Sequence, residues 1–301
     1  MDARCFSDEN RRSWTTALLS LALLLVFNVS CALELAFVSH KKADSVSRLA
    51  ANTAELANAQ ATVVLTSSPR FEDRVQQADV VVLVGQQALT ARDRIPANIP
   101  TLAVLIPAQQ VPALALQSAI YLEPPFSRQI ALAQSLIGDD QPLGVLATNQ
   151  QSLLTLCDCE DSLDSKRLQA YYLDDYDSLN RALVDLLQSS QALIGIYDTT
   201  LYSAANIKNI LITAYRQSRP LIGPSSAYIR AGALASTYSD LGDTARRLAE
   251  LVTAGQQGDW PAAGYNPYFK VRYNEQVARS LNLILPDAEQ LAETLRQQEQ
   301  P

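Results

Sequence analysis

The chain carries few side chains suited to catalysis. His40 is its only histidine, so a Ser-His-Asp triad or a zinc site would have to be built around that one imidazole. His40 is also explained as a solvated loop residue, because Lys41 and Lys42 follow it. A nucleophile without a nearby base is hard to activate, so the sequence argues against an enzyme and predicts no catalytic residue, metal site or cofactor.

Two cysteines lie close together in the body of the chain. Cys157 and Cys159 are separated by one residue, and a disulfide between such near neighbours would need a tight turn. Two interpretations stay open: a pair of small thiols at a helix end, or a redox pair in an oxidising compartment.

Polar residues follow several apolar, strand-like runs. In open parallel sheets, ligands bind in the crevice beyond the carboxyl ends of the strands, so these residues are the candidate ligand contacts. Tyr121 stands where two lobes would be joined, as a group that could stack on a ligand. The full candidate set is Ser39, Ser67, Gln86, Tyr121, Thr148, Asn149, Tyr197, Asp198, Ser225 and Ser226.

Each candidate also has a purely structural explanation. Serine, threonine, asparagine and aspartate after a strand are the residues that helix N-caps require, which applies to Thr148 and Ser225. Asp198 could hold a ligand ammonium group or serve as a cap or turn. Tyr197 could stack on a planar ligand or pack within its own lobe.

The first half of the chain alternates strand-like and helical patterns. Predicted strands cover 33–38, 62–65, 80–84 and 101–106, and an amphipathic helix covers about 44–59. The continuous β-branched runs are typical of parallel strands covered on both faces. A short edge strand over 118–122 runs into Glu123-Pro124-Pro125, where two prolines stop regular structure.

A second alternating series follows. A helix over 127–137 precedes strands at 144–147, 168–173, 192–197 and 220–223, with helices at 176–188 and 203–216 between the later strands. A charged amphipathic helix over 243–254, a half-exposed strand over 269–273 and helices after Asn274 and Asp287 complete the chain. The pattern predicts two α/β lobes joined near 119–125.

The second half of the chain resembles substrate-binding proteins of ABC-type transporters, in the group whose better-known members bind aromatic amino acids. The resemblance rests on Pro220-Leu221-Ile222-Gly223, then Ala231-Gly232-Ala233-Leu234-Ala235-Ser236 and Gly242, and finally Asn274, Ala278 and Leu281-Asn282-Leu283 in the same order and spacing. It implies a type I periplasmic-binding-protein-like fold: two Rossmann-like lobes with parallel sheets joined by a hinge.

The resemblance also implies a discontinuous first lobe. The predicted domains are a leader over 1–31, an N-terminal lobe of 32–118 plus about 239–260, and a C-terminal lobe of 119–238 plus about 261–301.

The N-terminus predicts export. Arg11 and Arg12 precede an uncharged stretch over 13–33 whose apolar centre has the length of a signal-peptide core. Cleavage after Ala32 and lipidation of Cys31 are alternative endings for a cleaved leader, and an uncleaved membrane anchor is a third possibility. We therefore predict a periplasmic protein, either free or anchored to a membrane through Cys31.

Charge and length restrict the partners. The leader's acidic and basic residues balance, so the remainder carries the whole net charge of -7, which argues against nucleic acid or an anionic membrane face. The predicted partners are a small-molecule ligand, such as an amino acid or similar compound, and a membrane permease or receptor. The protein is predicted to be a monomer that delivers its ligand to a transporter; the alternative is a sensory or uptake accessory that signals to a receptor or sensor kinase.

Overall fold

The computed structural model of the protein describes residues 32–156 and 167–299. The leader predicted over 1–31, including Cys31, and the pair Cys157 and Cys159 lie outside the described residues. From Leu33 onward the chain packs into one unit that contains two β-sheets. No helix in the described part of the chain is both long and apolar enough to cross a membrane.

The first sheet has five parallel strands in the order β2-β1-β3-β4-β5. The strands are β1 (Leu33–Ser39), β2 (Ala59–Leu65), β3 (Val80–Val84), β4 (Thr101–Ile106) and β5 (Ser118–Tyr121). The sequence predicted β2 to be covered on both faces, and this was wrong: β2 is an edge strand, and Val63 is 37% exposed.

The second sheet has six strands in the order β11-β10-β9-β8-β6-β7. They are β6 (Leu143–Ala147), β7 (Leu168–Tyr172), β8 (Ala192–Ile194), β9 (Leu221–Ile222), β10 (Ala235–Tyr238) and β11 (Lys270–Tyr273). All neighbours pair in parallel except β10 and β11, which are antiparallel. The fold class predicted from the sequence, two α/β lobes with parallel sheets, is confirmed.

Ten α-helices flank the sheets within the described residues. They are α1 (Asp44–Leu56), α2 (Phe71–Gln76), α3 (Phe126–Ile137), α4 (Gln150–Leu156), α5 (Leu179–Ser189), α6 (Ile207–Arg216), α7 (Ser226–Ala231), α8 (Leu241–Gln256), α9 (Glu275–Ser280) and α10 (Ala288–Gln298). Short 3-10 segments cover Gln86–Arg94, Ala108–Gln110 and Leu173–Asp175.

The first sheet separates two layers of core because successive side chains of a strand point to opposite faces. Along β1, Leu35 and Phe37 belong to one apolar cluster, while Ala36 and Val38 belong to the other. The first cluster is closed by α1 and α8, and α8 contributes Leu248 to it. The second sheet has its own continuous core, in which α3 and α5 pack against the strands.

The chain passes between the two sheets three times. It leaves the first sheet after β5 through Leu122-Glu123-Pro124-Pro125, returns after β10 to form α8 against α1, and crosses again to reach β11. Since β5 ends at Tyr121, the predicted lobe boundary at 118/119 falls inside a strand of the first sheet. Gly264, in the third crossing, also pairs with Ile120 of β5.

The second and third crossings are tied to each other by polar contacts. Ser239 donates a hydrogen bond from its hydroxyl to the carbonyl oxygen of Tyr268 at 2.7 Å. Lys270 forms ion pairs with Asp240 and with Asp243, the latter at 3.4 Å. These contacts hold the start of α8 next to the start of β11.

Candidate functional site

A cavity of about 430 Å³ lies between the carboxyl ends of strands in the second sheet and the turn that joins β4 to β5 in the first sheet. Thr148 comes directly after β6, and Tyr197 and Asp198 follow β8. Helix α4 forms one wall, and Gln109, from the 3-10 turn after β4, contributes from the other lobe. The lining consists of Gln109, Thr148, Gln151, Ser152, Thr155, Leu156, Tyr197, Asp198, Thr199 and Thr200.

Asp198 is buried at this cavity and organises the chain around it. Its Oδ1 atom accepts hydrogen bonds from the backbone N–H groups of Thr200 and Leu201, each at 2.9 Å. Its Oδ2 atom accepts a hydrogen bond from the Thr148 hydroxyl at 3.2 Å. The carboxylate therefore has the turn-forming role that the sequence left open, and it also joins the ends of β6 and β8.

Asn149 has the geometry of a helix cap. Its Oδ1 atom accepts from the Ser152 backbone N–H at 2.9 Å, which satisfies a donor in the first turn of α4. Its side-chain amide donates to Asp174 at 3.1 Å. Both polar ends of Asn149 are therefore occupied by the protein itself, beside Thr148 of the cavity wall.

The charge of the buried Glu123 carboxylate acts on two nearby tyrosines. Burial first, and then the charge of Glu123, raises the pKa of both Tyr121 and Tyr197. Tyr197 is half-buried and lines the large cavity. Tyr121 stacks edge-on against Tyr265, with ring centroids 5.0 Å apart. The phenols stay neutral, so each offers a hydroxyl and an aromatic face.

Glu123 is the feature that the sequence analysis missed. It lies in the first crossing and is only 9% exposed. Its Oε1 atom accepts a hydrogen bond from the backbone N–H of Ala108 at 2.8 Å, which connects the crossing to the turn that carries Gln109. Its Oε2 atom is buried and has no hydrogen-bond partner among the described residues. Burial raises the pKa of this carboxyl, while the bonds from the N–H groups of Ala108 and of Glu123 itself act against that change.

A second, smaller cavity of about 20 Å³ lies beside Glu123. It shares Leu156 and Tyr197 with the large cavity. Its shape is set by close packing: a Cβ atom on Gly195 would lie 2.7 Å from Pro224 Cδ. The buried Gln129 side chain fixes another wall by donating to the Gly223 carbonyl oxygen at 2.8 Å. The remaining lining residues are Pro124, Phe126 and Ile196.

The other predicted contacts do not line the large cavity. Ser39 is buried and donates its hydroxyl to the Lys41 carbonyl oxygen at 2.9 Å. Ser67 and Gln86 are exposed beyond the first sheet. Ser225 and Ser226 begin α7, next to Pro224 of the small cavity, and the Ser225 hydroxyl makes no capping bond. The ligand-binding role of these residues stays a prediction.

A sequence signal for Glu123 did exist. Glu123 lies between an apolar strand and two prolines, which stop regular structure, so it cannot belong to the solvated face of a helix. Its position therefore indicated a residue of the connection between the lobes. Gln109 carried no such signal, because its position depends on which strand ends face the other lobe.

The charged residues that line the two cavities, within the described part of the chain, are all acidic. Among the described residues that line them, Glu123 and Asp198 are acidic and none is lysine, arginine or histidine. No group of three histidine, cysteine, aspartate or glutamate residues in the described ranges has a geometry suited to a metal ion. The arrangement can therefore supply carboxylate oxygens, hydroxyls, side-chain amides and aromatic faces to a bound molecule.

Comparison with known proteins finds solved structures of similar fold but no matching sequence. No protein-family model and no curated protein sequence matches the chain. The ligand-free, open structure of CD0873, a substrate-binding protein with adhesive properties from Clostridium difficile, is similar with a TM-score of 0.63 and 11% identity, over 85% of this chain and 97% of that one.

A mutant of the XylFII–LytSN complex is similar with a TM-score of 0.54 and 12% identity, over 82% of this chain and 99% of that one. At these identities the likeness concerns the backbone architecture. The chain has the type I periplasmic-binding-protein-like fold of ABC-transporter substrate-binding proteins.

Proposed function

We propose that this protein is an exported solute-binding protein that captures a small molecule between its two lobes and delivers it to an ABC-type transporter. The observation that carries the proposal is the 430 Å³ cavity, whose wall combines Gln109 of the first lobe with Thr148, Tyr197 and Asp198 of the second. Its volume lies in the range of small-molecule sites.

The three crossings supply the movement that such a function requires. A ligand that touches both lobes stabilises the closed state through its higher affinity for that state. Residues 122–125 and the tied segments around Ser239 and Lys270 are the hinge in this proposal. The first two crossings are short, covering 122–125 and 239–240, whereas each lobe keeps its own apolar core.

The proposal includes location and partners. The protein is exported by the leader over 1–31 to the periplasm, with cleavage after Ala32 and lipidation of Cys31 as alternative endings. It acts as a monomer that binds and does not transform its ligand, and a membrane permease receives that ligand. The fold of CD0873, a substrate-binding protein, supports this proposal.

A thermal-shift screen of the full chain against amino acids, amines, nucleosides, sugars and small peptides tests capture. A ligand at about 100 times its dissociation constant stabilises the folded state by about 2.7 kcal/mol, which gives a clear rise in melting temperature. Selective stabilisation by one chemical class supports the proposal. A folded protein that no class stabilises contradicts it.

A second candidate is a sensory or uptake accessory that uses the same fold. One observation favours it: a chain of similar fold was solved within a complex of two proteins, XylFII and LytSN. Pull-down with a transporter permease and with a sensor domain from the same genome, each with and without ligand, separates the two functions. Ligand-dependent binding to the permease supports delivery, and ligand-dependent binding to the sensor supports signalling.

A further inference from the structure

The buried carboxylate of Glu123 has one oxygen that the protein leaves without a partner. Oε1 is satisfied by the backbone N–H of Ala108, whereas Oε2 is buried without a donor among the described residues, on a side chain that lines the small cavity. Buried polar atoms are almost always hydrogen-bonded, and a buried charge requires a counter-charge or several donors. Oε2 therefore marks a position that a donor from outside the chain would complete.

The small cavity has the size of a single donor group. Its volume of about 20 Å³ accommodates one water-sized group, and an ammonium group is of that size. Leu156 and Tyr197 line both cavities, so the small cavity adjoins the large one and lies within reach of a molecule whose body occupies the large cavity. The small cavity has room for the head group of such a molecule, and the large cavity has room for its body.

The charge of the surroundings selects the kind of head group. Glu123 and Asp198 are both acidic, and no described lining residue carries a positive charge to neutralise an anion. The Asp198 oxygens already accept three bonds from Thr148, Thr200 and Leu201. Asp198 therefore adds negative potential, and of the two carboxylates it is Glu123 that has an oxygen without a hydrogen bond from the described residues.

The aromatic ring of Tyr197 adds to the same preference. It lines both cavities, and the face of a tyrosine ring attracts a cation that lies within about 6 Å of its centre. A hydroxyl group would satisfy the hydrogen-bonding need of Oε2 but would leave the buried charge uncompensated. A protonated amine satisfies both.

We infer that the ligand is an organic cation, a protonated amine whose ammonium group binds Glu123 Oε2 beside Tyr197 while its body occupies the large cavity. The inference rests on the proposed function and specifies its ligand class. It makes Glu123 the specificity-determining residue and separates amines from sugars, carboxylic acids and other anions.

Titration calorimetry on the full-length protein tests the inference with matched probes. The amines are putrescine, spermidine and phenethylamine, and the neutral counterparts are 1,4-butanediol and 2-phenylethanol. D-glucose and glutarate, which has no amine, represent the sugars and the anions. We expect at least one amine to bind, with its neutral counterpart at least about 30-fold weaker, as the loss of a charged hydrogen bond predicts.

Glu123→Gln is the decisive variant because a glutamine Oε1 atom can still accept the Ala108 bond. We expect it to weaken amine binding about 30-fold. Glu72→Gln is the matched control: Glu72 is exposed, pairs with Arg94 at 2.7 Å and lines neither cavity. Its amine affinity should equal that of the unchanged protein.

A second measurement needs no variant. Burial raises the pKa of Glu123 and so favours the protonated carboxyl, whereas a bound ammonium group favours the ionised form, so amine binding at about pH 5 should release protons. Titration in two buffers of different ionisation enthalpy counts them. The other ionisable groups beside this site are Tyr121 and Tyr197, which are neutral at that pH, and Asp198, whose oxygens are already bonded.

Three results overturn the inference: no amine binds, a neutral counterpart binds as tightly as its amine, or Glu123→Gln binds the amine unchanged. If a sugar or an anion binds in their place, the ligand class is wrong while the solute-binding function stands. If the wider screen finds no ligand of any class, both fail.

Discussion

The carboxyl ends of the strands behave differently in the two lobes. In the second lobe, the residues that follow β6 and β8 meet in one cavity, where Thr148 donates to Asp198. In the first lobe, Ser39 turns back to the Lys41 carbonyl oxygen, and Ser67 and Gln86 face solvent. Among the described residues that line the cavity, Gln109, after β4, is the one from the first lobe.

The difference follows from the order of the strands. β4 lies next to β5, the edge strand from which the chain crosses to the other lobe, so its end is near the second lobe. The ends of β1 and β2 lie on the far side of the sheet. A polar residue after a strand is thus a useful candidate only when its strand lies near the crossing.

The largest expected effect is a loss of amine affinity when a cavity residue of the second lobe is replaced. Tyr197→Ala removes the ring shared by the two cavities, so we expect amine affinity to fall about 100-fold, the combined loss of an aromatic contact and apolar surface. Gln86→Ala, in the first lobe, should change affinity less than about twofold. Calorimetry on both variants measures the comparison, and equal losses would show that the lobes contribute alike.

The next effect is on stability. Asp198→Ala leaves the N–H groups of Thr200 and Leu201 without their acceptor, so we expect the free energy of unfolding to fall by about 1–2 kcal/mol. Asp198→Asn keeps an acceptor and should lose less. Urea unfolding of the two variants measures this, and an alanine variant as stable as the unchanged protein would show that the carboxylate has no structural role.

The third prediction is a gain in stability, where the preceding one is a loss. The folded-state pKa of Glu123 is raised by burial, so between its unfolded pKa and this higher value the folded protein binds more protons. Stability without ligand therefore falls as the pH rises through that window. Glu123→Gln has no such proton, so its stability should not fall through that window, and at pH 7 it should be more stable than the unchanged protein.

Thermal unfolding of both proteins between pH 4 and pH 8 measures this difference. We expect the two curves to converge at the acidic end, where Glu123 is protonated. A variant that is less stable at pH 7 would mean that the carboxylate contributes to folding, and would remove the reason to expect an external partner for it.

The smallest effect concerns the hinge. Lys270 is 48% exposed in its ion pairs with Asp240 and Asp243, so Lys270→Ala should lower the free energy of unfolding by no more than about 0.5–1 kcal/mol. Chemical unfolding at low and high salt measures it. A loss well above that range would show that the tie between the crossings has a larger structural role.

The sequence predicts the first sheet well because its strands are long apolar runs. β3 and β4 have the bounds expected, and β1 is longer by one residue, Ser39. The second sheet is less regular: β8 ends at Ile194, three residues before the expected end at Tyr197, and Gly195, Ile196 and Tyr197 line the small cavity. Helix α6 begins at Ile207, later than the expected Ser203.

The site was only partly predictable. Thr148, Tyr197 and Asp198 were found because each follows a buried strand. Glu123 was overlooked although its place between a strand and two prolines marked the connection, and Gln109 carried no signal because its position depends on how the two lobes pack.

Small-angle X-ray scattering on the full-length protein, with and without its tightest-binding solute, tests the central claim that a ligand is captured between the lobes. The account predicts a smaller radius of gyration with ligand, and no such change for Tyr197→Ala at a ligand concentration that fills the unchanged protein but not this variant. A radius that stays the same while calorimetry shows full occupancy would contradict closure around the ligand.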